Sequence, residues 1–263
     1  MLALLLSLVG CRFDNFLMVD DLEAARNAYV ARNLPLTERL LERYLRAEKD
    51  PEKRWEAWNL LLQALNAQGA EPRASLECLQ AMHAEYEAEE GRLDFILSQM
   101  GKYNAMLRHY AEAAIAWSAW LELGEVNNMD KVEGYRQLAA MQFGQRHFEA
   151  GEETLQQCLG LPLPDHDKIM CLLDLANENM ARERWQEVAD LCQQIEDSEP
   201  DKTVSGLAGF LRGDALEQMG KEEEALSLFE KYRDSYPNPA VMDNRIEYLR
   251  KNLKIRKDRI NSN

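Results

Sequence analysis

FLRGDALEQMGKEEEALSLFEKYRDSYP, residues 210–237, decides the fold. It reads as two short helices folded against each other. Gly213 is a slot where a side chain would hold the helices apart, and Gly220 ends the first helix, because a residue without Cβ enters a left-handed turn at little cost. Lys221 to Glu224 start the second helix. Ala225, Leu228, Phe229 and Tyr232 then recur at i, i+3, i+4, i+7 and share one face. Pro237 stops the unit.

The unit repeats upstream. Trp185, Val188, Cys192, Ile195 and Pro200 stand 37 residues before Glu222, Ala225, Phe229, Tyr232 and Pro237. Phe148, Gly151, Leu155 and Cys158 stand 37 before Trp185, Val188, Cys192 and Ile195, and Tyr110, Ala113, Trp117 and Trp120 a further 38 before those. Trp58, Leu61, Leu65, Gly69, Ala74, Cys78 and Ala81 form an earlier copy, and Ala28, Leu40, Tyr44, Ala47 and Pro51 the first and most degenerate one. A helix–turn–helix recurring at this period is the signature of an α-solenoid.

The order Trp58, Leu61, Leu65, Gly69, Ala74, Ala81 resembles the tetratricopeptide repeat, as does Gly213, Gly220, Ala225, Phe229, Pro237. The resemblance covers nearly the whole chain after its amino terminus. It implies an all-α fold: a right-handed α-solenoid of about six helical hairpins over residues 20–237, closed by a capping helix and basic tail over 238–263. Expected hairpins run over residues 20–50 (broken at Leu34-Pro35), 53–90, 92–122, 130–161, 167–197 and 203–236. Leu161-Pro162-Leu163-Pro164-Asp165 forms a stiff connector before the fifth, because two prolines fix φ and remove donors. The last helix, from Ala240 to about Arg259, carries Val241, Ile246, Leu249 and Leu253 as its apolar stripe. Its basic end (Arg250, Lys251, Lys254, Arg256, Lys257, Arg259) either complements the helix dipole, contacts the acidic body or serves an acidic partner. Trp58, Trp117, Trp120, Phe148, Trp185 and Phe229 fall in packing slots, while Trp55 lies off that register and is expected to be partly exposed.

Composition agrees. Ala, Leu, Glu, Gln, Arg and Met dominate, and no alternating run of strand type occurs. The net charge of −15 repels phosphate backbones, so nucleic acid is not an expected partner. The acidity is either a solvated helical exterior or a surface for a basic partner.

Residues 1–10, MLALLLSLVG, are nearly all apolar but rise only about 15 Å as a helix, half a bilayer core. They fit the apolar region of a signal peptide. Leu8-Val9-Gly10-Cys11 resembles the bacterial lipobox, although no Lys or Arg precedes the apolar run. The resemblance implies a lipid-modified Cys11, a tether over residues 11–19 and a chain facing the periplasm. Arg12, where an Asp would retain a lipoprotein at the inner membrane, implies the outer membrane. The other reading is a frayed apolar turn with a buried cysteine.

No HExxH, CxxC, GxSxG or Gly-rich phosphate loop occurs, and no histidine has a partner at i+4. Asp165-His166-Asp167 is a tight acidic–His cluster, but on a Pro-rich connector where Asp serves turns and caps. No metal, cofactor or catalytic residue is expected. Cys78, Cys158, Cys171 and Cys192 fit small buried apolar slots and are expected as separate thiols, with a Cys158–Cys192 bridge as the alternative.

In tetratricopeptide arrays the partner groove is lined mainly by first helices. Projected onto this chain, the resemblance implies Tyr29, Arg32, Asn59, Gln63, Asn66, Ser98 and Lys102, followed by Arg136, Phe143, Asn177, Met180, Asp214 and Gln218. Asn59, Gln63 and Asn66 form one polar stripe whose amides suit an extended peptide backbone. The Lys/Asn/Arg carboxylate clamp of chaperone-binding members is absent. The expected function is a non-enzymatic scaffold or adaptor lipoprotein of the bacterial envelope, at the periplasmic face of the outer membrane. It would bind a protein or peptide partner and no small-molecule substrate, possible settings being outer-membrane assembly and secretion. The alternative is a soluble cytoplasmic tetratricopeptide co-chaperone or regulator.

Overall fold

A computed structural model describes residues 18–69, 71–124 and 126–261. Every regular element among them is helical. The chain divides into two compact units, residues 1–116 and 117–263. The first holds α1 (Met18–Val30), α2 (Leu34–Ala47), α3 (Pro51–Gln68), α4 (Pro72–Tyr86), α5 (Glu90–Met106) and the start of α6 (Tyr110–Leu121). The second holds the rest of α6, α7 (Asn128–Gly144), α8 (Phe148–Leu159), a 3₁₀ turn (Asp165–Lys168), α9 (Ile169–Ala181), α10 (Trp185–Asp197), α11 (Lys202–Gln218), α12 (Glu222–Tyr232) and α13 (Pro239–Asn261). The signal peptide, the lipobox and Cys11 lie outside the described residues. α1 starts at Met18, two residues inside the stretch assigned to the tether.

The hairpin turns set the repeat. Arg32, Gly69, Arg108, Arg146, Glu183 and Gly220 all take left-handed backbone angles, with φ of 59°, 67°, 59°, 64°, 58° and 76°. They follow one another at 37, 39, 38, 37 and 37 residues (69 − 32, 108 − 69, 146 − 108, 183 − 146, 220 − 183). At five of them the next amide reaches back to the carbonyl five residues earlier: Asn33 to Ala28 at 2.9 Å, His109 to Asn104 and His147 to Gln142 at 2.8 Å, Arg184 to Asn179 at 2.9 Å, and Lys221 to Leu216 at 2.8 Å. The left-handed residue itself donates to the carbonyl three back, as Gly220 does to Glu217 at 2.9 Å. Together these bonds form the Schellman closure, which satisfies carbonyls a helix end would otherwise leave open and reverses the chain.

Fixed turns give each hairpin the same register of buried positions. Seven residues before each left-handed residue stand Ala25, Leu62, Gly101, Ala139, Ala176 and Gly213, all buried and mostly small. Nine residues after it stand Leu41, Cys78, Trp117, Leu155, Cys192 and Phe229, each 0–6% exposed. A Cβ built on Gly213 would lie 2.5 Å from the Phe229 ring, so the small residue is a steric requirement of the helix–helix approach. Gly206 is tighter still, since its Cβ would strike the backbone of Ser235.

Three sequence readings change. Leu34-Pro35 does not break the first hairpin: the turn is Ala31–Asn33, and Pro35 sits in the first turn of α2, where a missing N–H costs nothing. Cys158 pairs with Cys171, Cα atoms 6.5 Å apart, so these are neither separate thiols nor half of a Cys158–Cys192 bridge. The disulfide ties the last turn of α8 to the first of α9 across the Pro162–Pro164 connector, while Cys78 and Cys192 stay free and buried. On α13 the buried stripe is Met242, Ile246 and Leu249, with Val241 and Leu253 only half-buried. Trp117, Trp120 and Phe229 are buried as expected. Trp58, Phe148 and Trp185 are half-buried at the edge of the packing, as is Trp55, edge-on to Tyr86 and Phe95.

Arginines stitch neighbouring helices. Arg54 on α3 donates to the Leu45 and Glu48 carbonyls at the end of α2 and makes a two-pronged pair with Glu85 on α4. Trp58 Nε1 also donates to Glu85, at 2.9 Å. In the second unit Glu196 on α10 accepts from Arg212 on α11 (3.0 Å) and from Tyr232 on α12 (2.8 Å). The basic end of α13 contacts the acidic body: Arg250 pairs with Glu230 and Arg256 with Glu222 at 2.7 Å, and Lys257 with Glu223 at 3.2 Å.

Two predictions follow from turns and stitches. Arg146→Gly removes a left-handed strain of about 1–2 kcal/mol against a backbone-entropy cost of about 0.5–1, so its urea midpoint rises slightly, whereas Gly220→Ala lowers stability by about 1 kcal/mol. Equal midpoints for wild type and both variants would contradict the turn assignment. The Arg54 hydrogen bond, aided by Trp58 and opposed by burial, lowers the Glu85 carboxyl to about 2. A depressed folded-state value stabilises above the unfolded value, about 4.3, and that gain is lost as pH falls from there toward 2. Partial exposure limits it to on the order of 1 kcal/mol. Glu85→Gln therefore weakens the fold near pH 7 and flattens its acid limb between pH 4.5 and 2; an acid limb identical to wild type would exclude the stitch.

Candidate binding groove

The first helices of the hairpins carry the residues that the repeat register assigns to a groove, and the two units present them differently. In the first unit Asn66 Oδ1 accepts from Ser75 Oγ on α4 (2.9 Å) and from Tyr103 OH on α5 (2.6 Å), so this amide joins three helices. Asn59 Nδ2 donates to the Trp55 carbonyl (2.7 Å) and Ser98 Oγ to the Phe95 carbonyl (2.9 Å), each within its own helix. Gln63 and Lys102 are exposed and Tyr29 is half-buried. Arg32 lies beyond the end of α1 in the left-handed turn, because the Schellman closure ends that helix sooner than a uniform projection allows.

The second unit gathers three of the candidates. Arg136 and Phe143 on α7 and Asn177 on α9 line one cavity of about 210 Å³, together with Gln137, Ala139, Ala140, Leu155, Asp174 and Glu178. Phe143 is held in place by Gly151 on α8, whose Cβ would collide with its ring. Arg136 Nε donates to Asp174 Oδ2 at 2.6 Å and its Nη1 to Glu133 Oε2 at 2.8 Å. Burial is the largest single influence on its guanidinium and lowers it, but the hydrogen bonds and charges of Asp174 and Glu133 together outweigh burial and raise it above its usual value. Asn177 Nδ2 donates to the Leu173 carbonyl at 2.9 Å. The Glu178 side chain makes no hydrogen bond or ion pair among the described residues, and burial raises its carboxyl. Met180 is half-buried against the α9–α11 core. Asp214 lies under α13, paired with Arg245, which also meets Glu217 at 3.1 Å, and Gln218 is exposed at the end of α11.

Sequence projection missed Asp174, Glu178 and Gln137. Each lies one to three positions from a projected residue and lines the same cavity, and Glu178 follows Asn177 directly. The signal was the acidic i, i+4 pair Asp174/Glu178 beside Asn177.

The connector cluster holds no metal arrangement. His166 Nε2 lies 2.7 Å from Asp167, largely exposed, and no group of three or more His, Cys, Asp or Glu side chains among the described residues could hold an ion. Lys168 instead donates to the Leu159 carbonyl at 3.0 Å, covering the end of α8. Among the described residues no helix is long and apolar enough to cross a membrane.

The Cys158–Cys171 link closes a loop with a separation of 13 residues. By loop entropy it contributes about 2–3 kcal/mol. Alkylation of the unfolded, unreduced protein should label Cys78 and Cys192 but neither Cys158 nor Cys171, and reductant should lower the wild-type denaturation midpoint to that of the Cys158→Ala/Cys171→Ala variant. Labelling of Cys158 and Cys171 as well, or a midpoint insensitive to reductant, would remove the link.

No protein-family model matches the sequence, and no curated protein matches it. Solved structures do. A tetratricopeptide repeat protein from Parabacteroides merdae aligns over 88% of this chain and 98% of its own, with a TM-score of 0.53 at 12% identity. The apo form of RapI aligns over 90% of this chain and 72% of its own, with a TM-score of 0.64 at 8% identity. A MamA RS-1 double mutant aligns over 69% of this chain and 96% of its own, with a TM-score of 0.51 at 18% identity. At such identities the likeness speaks for the fold, and with the six left-handed turns and their packing slots it makes this chain a protein of the tetratricopeptide-repeat fold.

Proposed function

We propose that this chain is a non-enzymatic scaffold that binds a protein or peptide partner along the first-helix face of its hairpins, and that a lipid on Cys11 holds it at the periplasmic face of the bacterial outer membrane. The cavity formed by α7, α8 and α9 carries the binding part of this reading. It places an aromatic ring, two amides and a charged cluster on an accessible face, the mixture that recognises a polypeptide in a groove. The Cys158–Cys171 disulfide supports the location, since such bonds persist in oxidising compartments and are rare in the cytosol. The lipobox-like Leu8-Val9-Gly10-Cys11 supports the anchor, whose acyl chains contribute about 0.8 kcal/mol per buried CH₂.

The test combines both halves. A photo-crosslinking residue at the exposed Ala140 position, in cells fed labelled palmitate, should capture a discrete partner in the envelope fraction. Asn177→Arg should abolish the capture, and Cys11→Ser should abolish the palmitate label. Capture unaffected by Asn177→Arg would refute the groove. An unlabelled wild-type protein in the cytosolic fraction would instead favour a soluble co-chaperone or regulator.

A further inference from the structure

We infer that the α7–α8–α9 cavity receives a lysine or arginine side chain from the bound polypeptide, with Glu178 as its counter-charge. This rests on the proposed binding face and adds the chemistry of what that face selects.

The cavity, about 210 Å³, is smaller than clefts for drug-sized ligands, which run roughly 300–1,000 Å³, and suits a single side chain. Its walls are divided by polarity. Phe143 supplies apolar surface for an aliphatic stem, backed by the buried Leu155 and Ala139. Around them the charge is unbalanced: three carboxylates, Glu133, Asp174 and Glu178, meet one guanidinium, Arg136. That guanidinium is committed to Glu133 and Asp174. Among the described residues Glu178 is left without an ion pair. The cation nearest in influence is Arg182, and it is held elsewhere by Glu152 and Glu149. A half-buried carboxylate lacking a partner is costly, and an incoming cation removes that cost. An anion would meet the surplus of carboxylates, and an apolar side chain would bury Glu178 without compensation. Asn177 commits its Nδ2 to Leu173 and leaves Oδ1 as a second acceptor, and the Phe143 face attracts a cation.

The experiment pans phage-displayed random nonapeptides against the full chain and measures the recovered peptides by fluorescence anisotropy. The inference expects one fixed position enriched in Lys or Arg. Replacing that residue by norleucine should weaken binding about tenfold to wild type but less than twofold to Glu178→Gln, while Asn177→Arg blocks binding altogether. Peptides blocked by Asn177→Arg but lacking an enriched basic position, or a norleucine effect undiminished in Glu178→Gln, would overturn this inference and leave the binding face standing. Recovery of no peptide, or of peptides indifferent to Asn177→Arg, would overturn the binding face and this inference with it.

Discussion

A residue in the left-handed region at the end of each first helix, followed at five of the six turns by an amide that bonds five residues back, is the constraint on which the rest of the structure depends. It reverses the chain at the same point of each hairpin, every 37 to 39 residues. Once the reversal point is fixed, helical geometry decides which side chains meet. Seven positions before the turn and nine after it the residues are buried, and in the last hairpin Gly213 faces Phe229. The same register fixes which face of the first helix is left without a partner from its own hairpin. The candidate groove is thus a consequence of the turn, and its residues are those that hairpin packing does not consume.

Electrostatics then distinguish one part of that face from another. With a net charge of −15, cations are scarce, and many arginines are spent within the fold. Arg54 is spent on Glu85 and the end of α2, Arg212 on Glu196, Arg245 on Asp214, and Arg256 on Glu222. Carboxylates are therefore left over, and where one remains in a recess beside an aromatic ring, as Glu178 does near Phe143, the surface has a chemical preference and not merely a shape. The Cys158–Cys171 bond sits beside this recess in the chain, fixing α8 against α9, which both contribute to it.

The repeat, the all-α class and the hairpin order were legible because apolar periodicity and the two glycines at Gly69 and Gly220 announce them. The other four turns were not announced. Arg32, Arg108, Arg146 and Glu183 carry no sign of left-handed backbone, since long polar side chains adopt it only when the surrounding bonds impose it. Pro35 misled for a related reason: proline marks a break inside a helix but is tolerated at its start. The disulfide was hidden because the spacing of Cys158 and Cys171 means little until the 3₁₀ turn folds the connector back. The groove was legible by register and not by chemistry. Arg136, Phe143 and Asn177 line one cavity, Asp214 is covered by α13, and Glu178 emerged only when neighbouring ion pairs showed which carboxylate of that cavity lacked one.

Native-state hydrogen exchange at the turn amides tests the reversal constraint most directly. The amides of Asn33, His109, His147, Arg184 and Lys221 lie outside regular helix yet donate across the Schellman closure, so each should exchange far more slowly than an open loop amide and open together with the hairpin it closes. Exchange at the rate of unstructured peptide at these positions, with the flanking helices still protected, would show that the chain reverses by some other means.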